Sequence, residues 1–168
     1  MSWRLHQRDG ILLAVAAAVL ALDQLSKAAV MRYLSPLVPW NPIEPLGRVV
    51  SLTYVTNTGA AFGLFPQLGN YYVFIALAIV VGLVVFYRRY QISHWLLPVC
   101  LGLQLGGAVG NLIDRLRLGH VIDFVDFKFW PVFNVADSCI VVGVLILAVL
   151  LLRETPAGEA TPAGPDGG

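Results

Sequence analysis

The chain has 168 residues, of which 58% are hydrophobic and only 12% are charged, and its mean hydropathy is +0.76. Soluble globular domains carry about 25% charged residues, so this composition excludes an ordinary soluble domain and indicates a lipid environment. The formal net charge is only +1 and no basic stripe runs along the chain, which argues against a nucleic-acid-binding protein.

Four stretches are long and apolar enough to cross a bilayer, which requires about 20 mostly apolar residues in a helix. They cover approximately residues 10–30, 69–87, 95–113 and 133–152. This spacing predicts an all-α membrane bundle of four transmembrane helices. We expect residues 1–154 to form a single domain.

The first predicted span ends in the polar sequence DQLSK. Asp23 and Lys27 are four residues apart, so they share a helix face and can form an ion pair. The alternative is a lysine whose ammonium group extends to the membrane surface. Arginines before the apolar run are also typical of a signal peptide, but no clear cleavage site precedes the polar motif. We therefore predict an uncleaved first helix.

The connection after the first span contains four prolines, which exclude a regular helix there. Residues 48–55 are rich in Val, Thr and Tyr and predict a short strand, and residues 38–55 together predict a small sheet at the membrane surface. A turn beginning at Asn57 and a short amphipathic helix at residues 58–65 follow. Taken alone, Asn57 is interpreted as a helix cap.

The third span carries Gly102, Gly106 and Gly110 at four-residue intervals. Small residues so spaced allow another helix backbone to approach closely. We expect this row to pack against the first, second or fourth span, and docking of a substrate helix is the alternative. Asn111 and Arg115 lie on a neighbouring row, so a polar patch adjoins the packing face.

Ionisable groups are concentrated around the connection between the third and fourth spans. The predicted loop holds three acidic residues, Asp114, Asp123 and Asp126, and the fourth span opens with Asn134 and Asp137. Ionisable groups inside a membrane cost roughly 2.5–3.5 kcal/mol each, so such a concentration indicates a function. We interpret it as an aspartate pair that hydrolyses a peptide bond.

Four spans place both termini on one side of the membrane and both long connections on the other. Every embedded polar group except Gln104 then lies near the long-connection face. Arg88 and Arg89 occupy the shortest loop, and basic residues in short loops favour the cytoplasm. We therefore expect cytoplasmic termini and a site near the outer face.

The motifs DQLSK, TNTGAAFG, GNLIDRLRLGHVIDF and FNVADS, in this order on four spans, closely resemble the bacterial lipoprotein signal peptidase family (signal peptidase II). The resemblance covers nearly the whole chain except the tail. It implies an integral-membrane aspartyl protease of the bacterial inner membrane. Such enzymes remove signal peptides from diacylglyceryl-modified prolipoproteins, cleaving just before the lipidated cysteine.

Carried over by motif, the resemblance marks Asp123 and Asp137 as the catalytic dyad. It implies supporting roles for six further residues: Asp23, Lys27, Asn57, Asn111, Arg115 and Asn134. It also implies an extramembrane β-cradle, here residues 38–55, and a surface helix, here 58–65. No cofactor or metal is expected.

Chemistry alone leaves rivals for these roles. Two neighbouring carboxylates share one proton, so one can activate water while the other donates to the carbonyl oxygen. Asp126 is a rival for Asp123, although we expect it to face water. Asp114 is more simply a structural ion pair or cap. Spacing cannot show whether Asp123 and Asp137 meet.

Other site types fit less well. Ser26 and Lys27 are adjacent and point about 100° apart on a helix, which makes a poor dyad. Cys139 and His120 sit in no recognisable nucleophile motif. From a different class, a small proton-coupled transporter or channel subunit would need polar groups distributed across the bilayer. A purely structural adaptor would not need so many buried polar groups.

Both cysteines, Cys100 and Cys139, fall in predicted spans and are expected to be free apolar thiols. Residues 155–168 are low in bulky apolar side chains and predict a disordered tail. The expected partners are prolipoprotein substrates and membrane lipids. One bundle suffices for the chemistry, so we expect a monomer.

Overall fold

The computed structural model describes residues 2–59, 71–89 and 94–154. Four long helices account for most of them: α1 (Ser2–Tyr33), α2 (Tyr71–Arg89), α3 (Leu97–Leu118) and α4 (Val135–Glu154). Each is long and apolar enough to span a membrane. The four predicted spans are therefore confirmed as helices. Helix α1 extends beyond both of its predicted ends, and α3 extends beyond its predicted C-terminal end.

Helix α3 is the centre of the bundle. It packs against α1, α2 and α4, and it is by far the most buried of the four helices. The outer faces of α2 and α4 leave Phe74, Leu77 and Leu145 exposed, as expected for side chains that contact lipid. The polar groups that the sequence distributes over three helices therefore meet around α3.

Glycines allow α3 to approach its neighbours closely. A Cβ atom on Gly106 would lie 2.6 Å from the Ala16 carbonyl oxygen of α1, and one on Gly107 would lie 2.6 Å from the Ala136 carbonyl oxygen of α4. Gly102 also packs against α1. The expected packing of the glycine row against another span is confirmed, and the partner is α1.

A two-stranded antiparallel sheet covers one end of the bundle. Strand β1 (Val50–Asn57) pairs with β2 (Val121–Phe127), and the register matches Val50 with Phe127 and Asn57 with Val121. A 3₁₀ helix, Glu44–Arg48, precedes β1. Apolar residues Val30, Ile122 and Phe124 form a small core beneath the sheet.

The structure corrects three predictions about this end of the bundle. The strand predicted at residues 48–55 begins and ends two residues later, at Val50 and Asn57. The loop predicted between the third and fourth spans contains β2, whose β-branched and aromatic residues favour a strand only because β1 is there to pair with it. Asp114 belongs to α3, which continues to Leu118 before ending at Gly119 in the left-handed conformation.

Two predictions fall outside the described part of the chain. The predicted surface helix at 58–65 lies outside it from residue 60 onward. The predicted disordered tail, residues 155–168, lies outside it entirely.

Replacing Gly106 by alanine tests the close packing of α3 on α1. We expect Gly106→Ala to lower the free energy of unfolding by about 1–3 kcal/mol, because the new methyl group must displace the α1 backbone. Thermal unfolding in detergent measures the change. Gly82→Ala in α2 is the matched control, since nothing lies within 4 Å of its added Cβ atom. Equal losses in the two variants would contradict the packing argument.

Candidate active site

Asp123 and Asp137 face the same cavity. Asp123 lies on β2 and Asp137 in the first turn of α4, and both line a cavity of about 740 Å³ at the sheet end of the bundle. The cavity wall also includes Asn57 from β1 and Asn111 and Arg115 from α3. The two aspartates are separated by 13 residues in the sequence. The pairing of β2 with β1 places Asp123 over the end of the bundle, so both carboxylates still face the same cavity.

Asn134 links the two carboxylates. Its Nδ2 donates to Asp123 Oδ1 at 2.7 Å, and its Oδ1 accepts from the Asp137 backbone N–H at 2.9 Å. Its own backbone N–H donates to Asp137 Oδ2 at 3.3 Å. Asn134 is fully buried, so its side chain holds both aspartates in a fixed relation.

Two further amides orient the carboxylates. Asn57 Nδ2 donates to Asp123 Oδ2 at 2.9 Å, while its Oδ1 accepts from the Gly59 backbone N–H. Asn111 Nδ2 donates to Asp137 Oδ1 at 2.7 Å. The Asn57 side chain therefore closes a local turn, as a cap would. It also contacts Asp123, which the sequence spacing did not reveal.

The electrostatic environment keeps a proton near this pair. Burial raises the pKa of Asp123 to about 6, and the negative charge of Asp137 adds to the increase. Hydrogen bonds from Asn57 and Asn134 and the charge of Lys27 oppose it. A carboxyl group with this pKa can carry a proton close to neutral pH, as an acid catalyst must.

Lys27 lies at the centre of a buried ion cluster beneath the two carboxylates. Its Nζ lies 2.8 Å from Asp23 Oδ2 and 2.8 Å from Asp114 Oδ2, and it donates to Asn111 Oδ1 at 2.9 Å. The predicted Asp23–Lys27 pair is confirmed. Lys27 is only 1% exposed, so its ammonium group does not extend to the membrane surface.

The ion cluster also fixes the backbone beside each carboxylate. Asp23 Oδ1 accepts from the Ala136 N–H, one residue before Asp137. Asp114 Oδ2 accepts from the Ile122 N–H, one residue before Asp123. One buried cluster therefore positions both β2 and the start of α4.

Comparisons with known proteins identify the family of the chain. A family model described as "Signal peptidase (SPase) II" matches residues 15–153 of the chain. The chain belongs to the signal peptidase II family.

Relatives in this family align over most of their length. The lipoprotein signal peptidase of Moorella thermoacetica is 45% identical over 147 residues, which cover 88% of this chain and 95% of the relative. That of Mycobacterium leprae is 42% identical over 151 residues, covering 86% and 72%. A bacterial membrane enzyme structure obtained by the in meso method at 2.3 Å resolution is 27% identical, with a TM-score of 0.81 over 92% of this chain and 94% of that one.

Membership of the signal peptidase II family makes the chain a membrane peptidase, and it does not support the transporter or channel subunit that the sequence also allowed. The positions of the buried polar side chains also argue against a transport path across the bilayer. Among the buried polar side chains of the described residues, all but Gln104 lie at the sheet end of the bundle or in the sheet.

The two rival acidic residues, Asp114 and Asp126, contact other polar groups. Asp114 pairs with Lys27, so its interpretation as a structural ion pair is confirmed. Asp126 is three residues from Asp123 on the same strand and thus on the opposite face. It does not simply face water, as we predicted, because Ser51, Thr53 and Lys128 all donate to it.

The other rivals do not reach the cavity. None of Ser26, His120 and Cys139 is among the described residues that line it. The Ser26 hydroxyl donates to the Asp23 backbone carbonyl at 2.8 Å. Cys100 and Cys139 are free thiols, as predicted. The described residues contain no cluster of three or more His, Cys, Asp or Glu side chains that could hold a metal ion.

Two site residues were missed at the level of sequence. Gln24 Nε2 donates to Asp114 Oδ1 at 3.0 Å and to Asp23 Oδ2 at 3.2 Å, so its amide stabilises the two carboxylates around Lys27 by hydrogen bonding. The DQLSK motif contained this signal, a second polar residue next to an embedded aspartate. Tyr72 lies under the Arg115 guanidinium at 5.7 Å, and nothing in the apolar second span indicated it.

Removing the central cation should destabilise the fold. We expect Lys27→Met to lower the free energy of unfolding by about 3–5 kcal/mol, because Asp23 and Asp114 would be left buried without their partner. Unfolding in detergent, followed by circular dichroism, measures the loss. Lys128→Met is the control: its pair with Asp126 is partly exposed and should contribute at most about 1 kcal/mol. A Lys27 variant as stable as the Lys128 variant would contradict the assignment.

Proposed function

We propose that this membrane peptidase is an aspartyl endopeptidase that removes signal peptides from diacylglyceryl-modified prolipoproteins just before the lipidated cysteine. The observation that carries the proposal is the Asn134 bridge, which holds Asp123 and Asp137 together at one cavity. Relatives described as lipoprotein signal peptidases support the substrate class. The resemblance of the motifs supports the aspartate dyad.

The chemistry requires one shared proton. The charged carboxylate takes a proton from water as the water oxygen attacks the scissile carbonyl carbon, and the neutral carboxyl group donates its proton to the carbonyl oxygen. Collapse of the tetrahedral intermediate breaks the C–N bond, a proton passes to the leaving nitrogen, and the pair retains one proton. The two carboxyl groups titrate as a unit, so neither role belongs to one aspartate.

The lower part of the cavity suits a substrate that arrives from lipid. Its walls are apolar side chains of α2, α3 and α4, among them Ile75, Ile79, Ala108 and Val141. A signal segment is itself an apolar helix, and we propose that it occupies this groove with its cleavage site beside the aspartates. Membrane lipids are the surrounding solvent for this step.

Arg115 is the proposed contact for polar substrate atoms. Its guanidinium donates to the carbonyl oxygens of Gly59 and Asn111 and lines the cavity. Asn111 is better assigned as a positioning residue, because Lys27, Asn134 and Asp137 already occupy its side-chain amide. Asp23, Lys27, Asn57 and Asn134 support the dyad through the contacts described above.

We further propose that the two-stranded sheet and the preceding segment, residues 38–55, form the cradle around the substrate at the outer face. In this arrangement the termini are cytoplasmic and the enzyme is a single-domain monomer of the bacterial inner membrane. The short loop after Arg88 and Arg89 supports this orientation.

Substituting either aspartate should abolish the reaction. We expect Asp123→Asn and Asp137→Asn each to reduce cleavage of a lipid-modified precursor at least a thousandfold, because neither variant retains a pair that shares a proton. Gel-shift assays of purified protein measure cleavage, and membrane fractionation checks insertion. Asp126→Asn is the matched control and should retain at least half of the activity. Substantial turnover by either dyad variant would refute the assignment.

The rate should also depend on pH in one direction. Since the pKa of Asp123 is raised to about 6, the shared proton is held below that pH and lost above it. We expect kcat/KM to fall by about tenfold per pH unit above about pH 6. Burial raises the pKa of Asp126, but hydrogen bonds from Lys128, Thr53 and Ser51 outweigh it and lower the pKa. Asp126 is therefore already ionised in this pH range, and the Asp126→Asn variant should show the same profile. A rate that rises from pH 6 to pH 8 would contradict the mechanism.

A further inference from the structure

Gln104 is an isolated polar side chain in the apolar part of the cavity. It lies in α3 and is only 6% exposed, yet it lines the cavity together with Ile79, Leu83 and Val142. An embedded amide among such neighbours costs free energy unless its polar atoms are paired. The ion cluster at the sheet end does not include it, so the mechanism above gives it no role.

The amide of Gln104 has unused hydrogen-bonding capacity. Its Nε2 donates to the Cys100 carbonyl oxygen at 3.3 Å, a contact within its own helix. Within the part of the chain that the structure describes, its Oε1 accepts no hydrogen bond. This oxygen is also not among the fully buried atoms that lack a partner, so it is partly exposed. The acceptor oxygen is therefore not sealed inside the protein, and the residue that carries it lines the cavity.

The side chain is held in this position by the neighbouring helix. A Cβ atom on Gly143 of α4 would lie 2.7 Å from Gln104 Cγ, so the glycine leaves the space that the glutamine stem occupies. The amide is thus a fixed feature of the groove wall between α3 and α4.

The depth of Gln104 relates it to a position in the substrate. Gln104 precedes Asn111 by seven residues on α3, and Asn111 contacts Asp137. Two helical turns correspond to about 10 Å along the helix, and residues seven apart share a face. A helical signal segment with its scissile bond at the aspartates would therefore bring its residue about seven positions before the bond to Gln104.

We propose that Gln104 is a specificity-determining residue that accepts a hydrogen bond from a hydroxyl side chain, serine or threonine, in the apolar segment of the signal peptide. This inference rests on the proposed function. A wall that offers an unpaired acceptor favours the substrate that can satisfy it over an apolar analogue. The expected preference is about threefold, the size of an average hydrogen bond between membrane helices.

The test is a scan of synthetic lipidated precursors in which one serine replaces leucine at each position from two to nine before the cleaved bond. The ratio of kcat/KM for each serine precursor to that of the all-leucine precursor is measured for three enzymes. The unaltered protein should show a ratio of about three near position seven. Gln104→Met, which keeps the length of the side chain but not its acceptor amide, should bring that ratio to about one.

Leu145→Val is the control, because Leu145 is an exposed α4 residue outside the cavity lining, and this variant should keep the ratio of the unaltered protein. A flat scan in the unaltered protein, or a preference that survives in Gln104→Met, would overturn the inference while leaving the peptidase intact. Absence of cleavage of every precursor by the unaltered protein would overturn the proposed function and this inference with it.

Discussion

The buried Lys27 ammonium group is shared by two carboxylates and one amide at the point where α1 meets α3. Desolvating three charges is costly, and the cost is offset only if each remaining lone pair finds a donor. Those donors are Gln24 and the backbone N–H groups of Ile122 and Ala136. Satisfying the cluster therefore requires that β2 and the start of α4 lie where the two proposed catalytic aspartates are needed.

The cluster and the carboxylate pair have opposite electrostatic requirements. Around Lys27 the charges are paired and closed off from solvent, whereas Asp123 and Asp137 face an open cavity with no cation bonded directly to either of them among the described residues. Amides from Asn57, Asn111 and Asn134 orient the pair without neutralising it. This separation allows one carboxyl group to keep a proton near neutral pH.

The same division appears along the length of the bundle. Glycines of α3 let α1 and α4 approach closely at the polar end, where the ion cluster must be sealed. Farther into the bundle, α2 and α4 both contribute to the cavity lining, and its walls become apolar. The closely packed polar end that carries the two aspartates is thus continuous with an apolar groove that suits a lipid-borne substrate. Gln104 is the polar exception in that groove.

The sequence by itself determined the four helices, the Asp23–Lys27 pair and the concentration of polar groups at one end, because hydropathy and helical spacing are local properties. Its motifs also indicated the family. Only the tertiary structure decided that residues 121–127 form a strand, that Asp114 pairs with Lys27, and that Asn134 bridges Asp123 and Asp137. Strand pairing and buried hydrogen bonds join residues distant in the chain, and no local pattern specifies which partners meet.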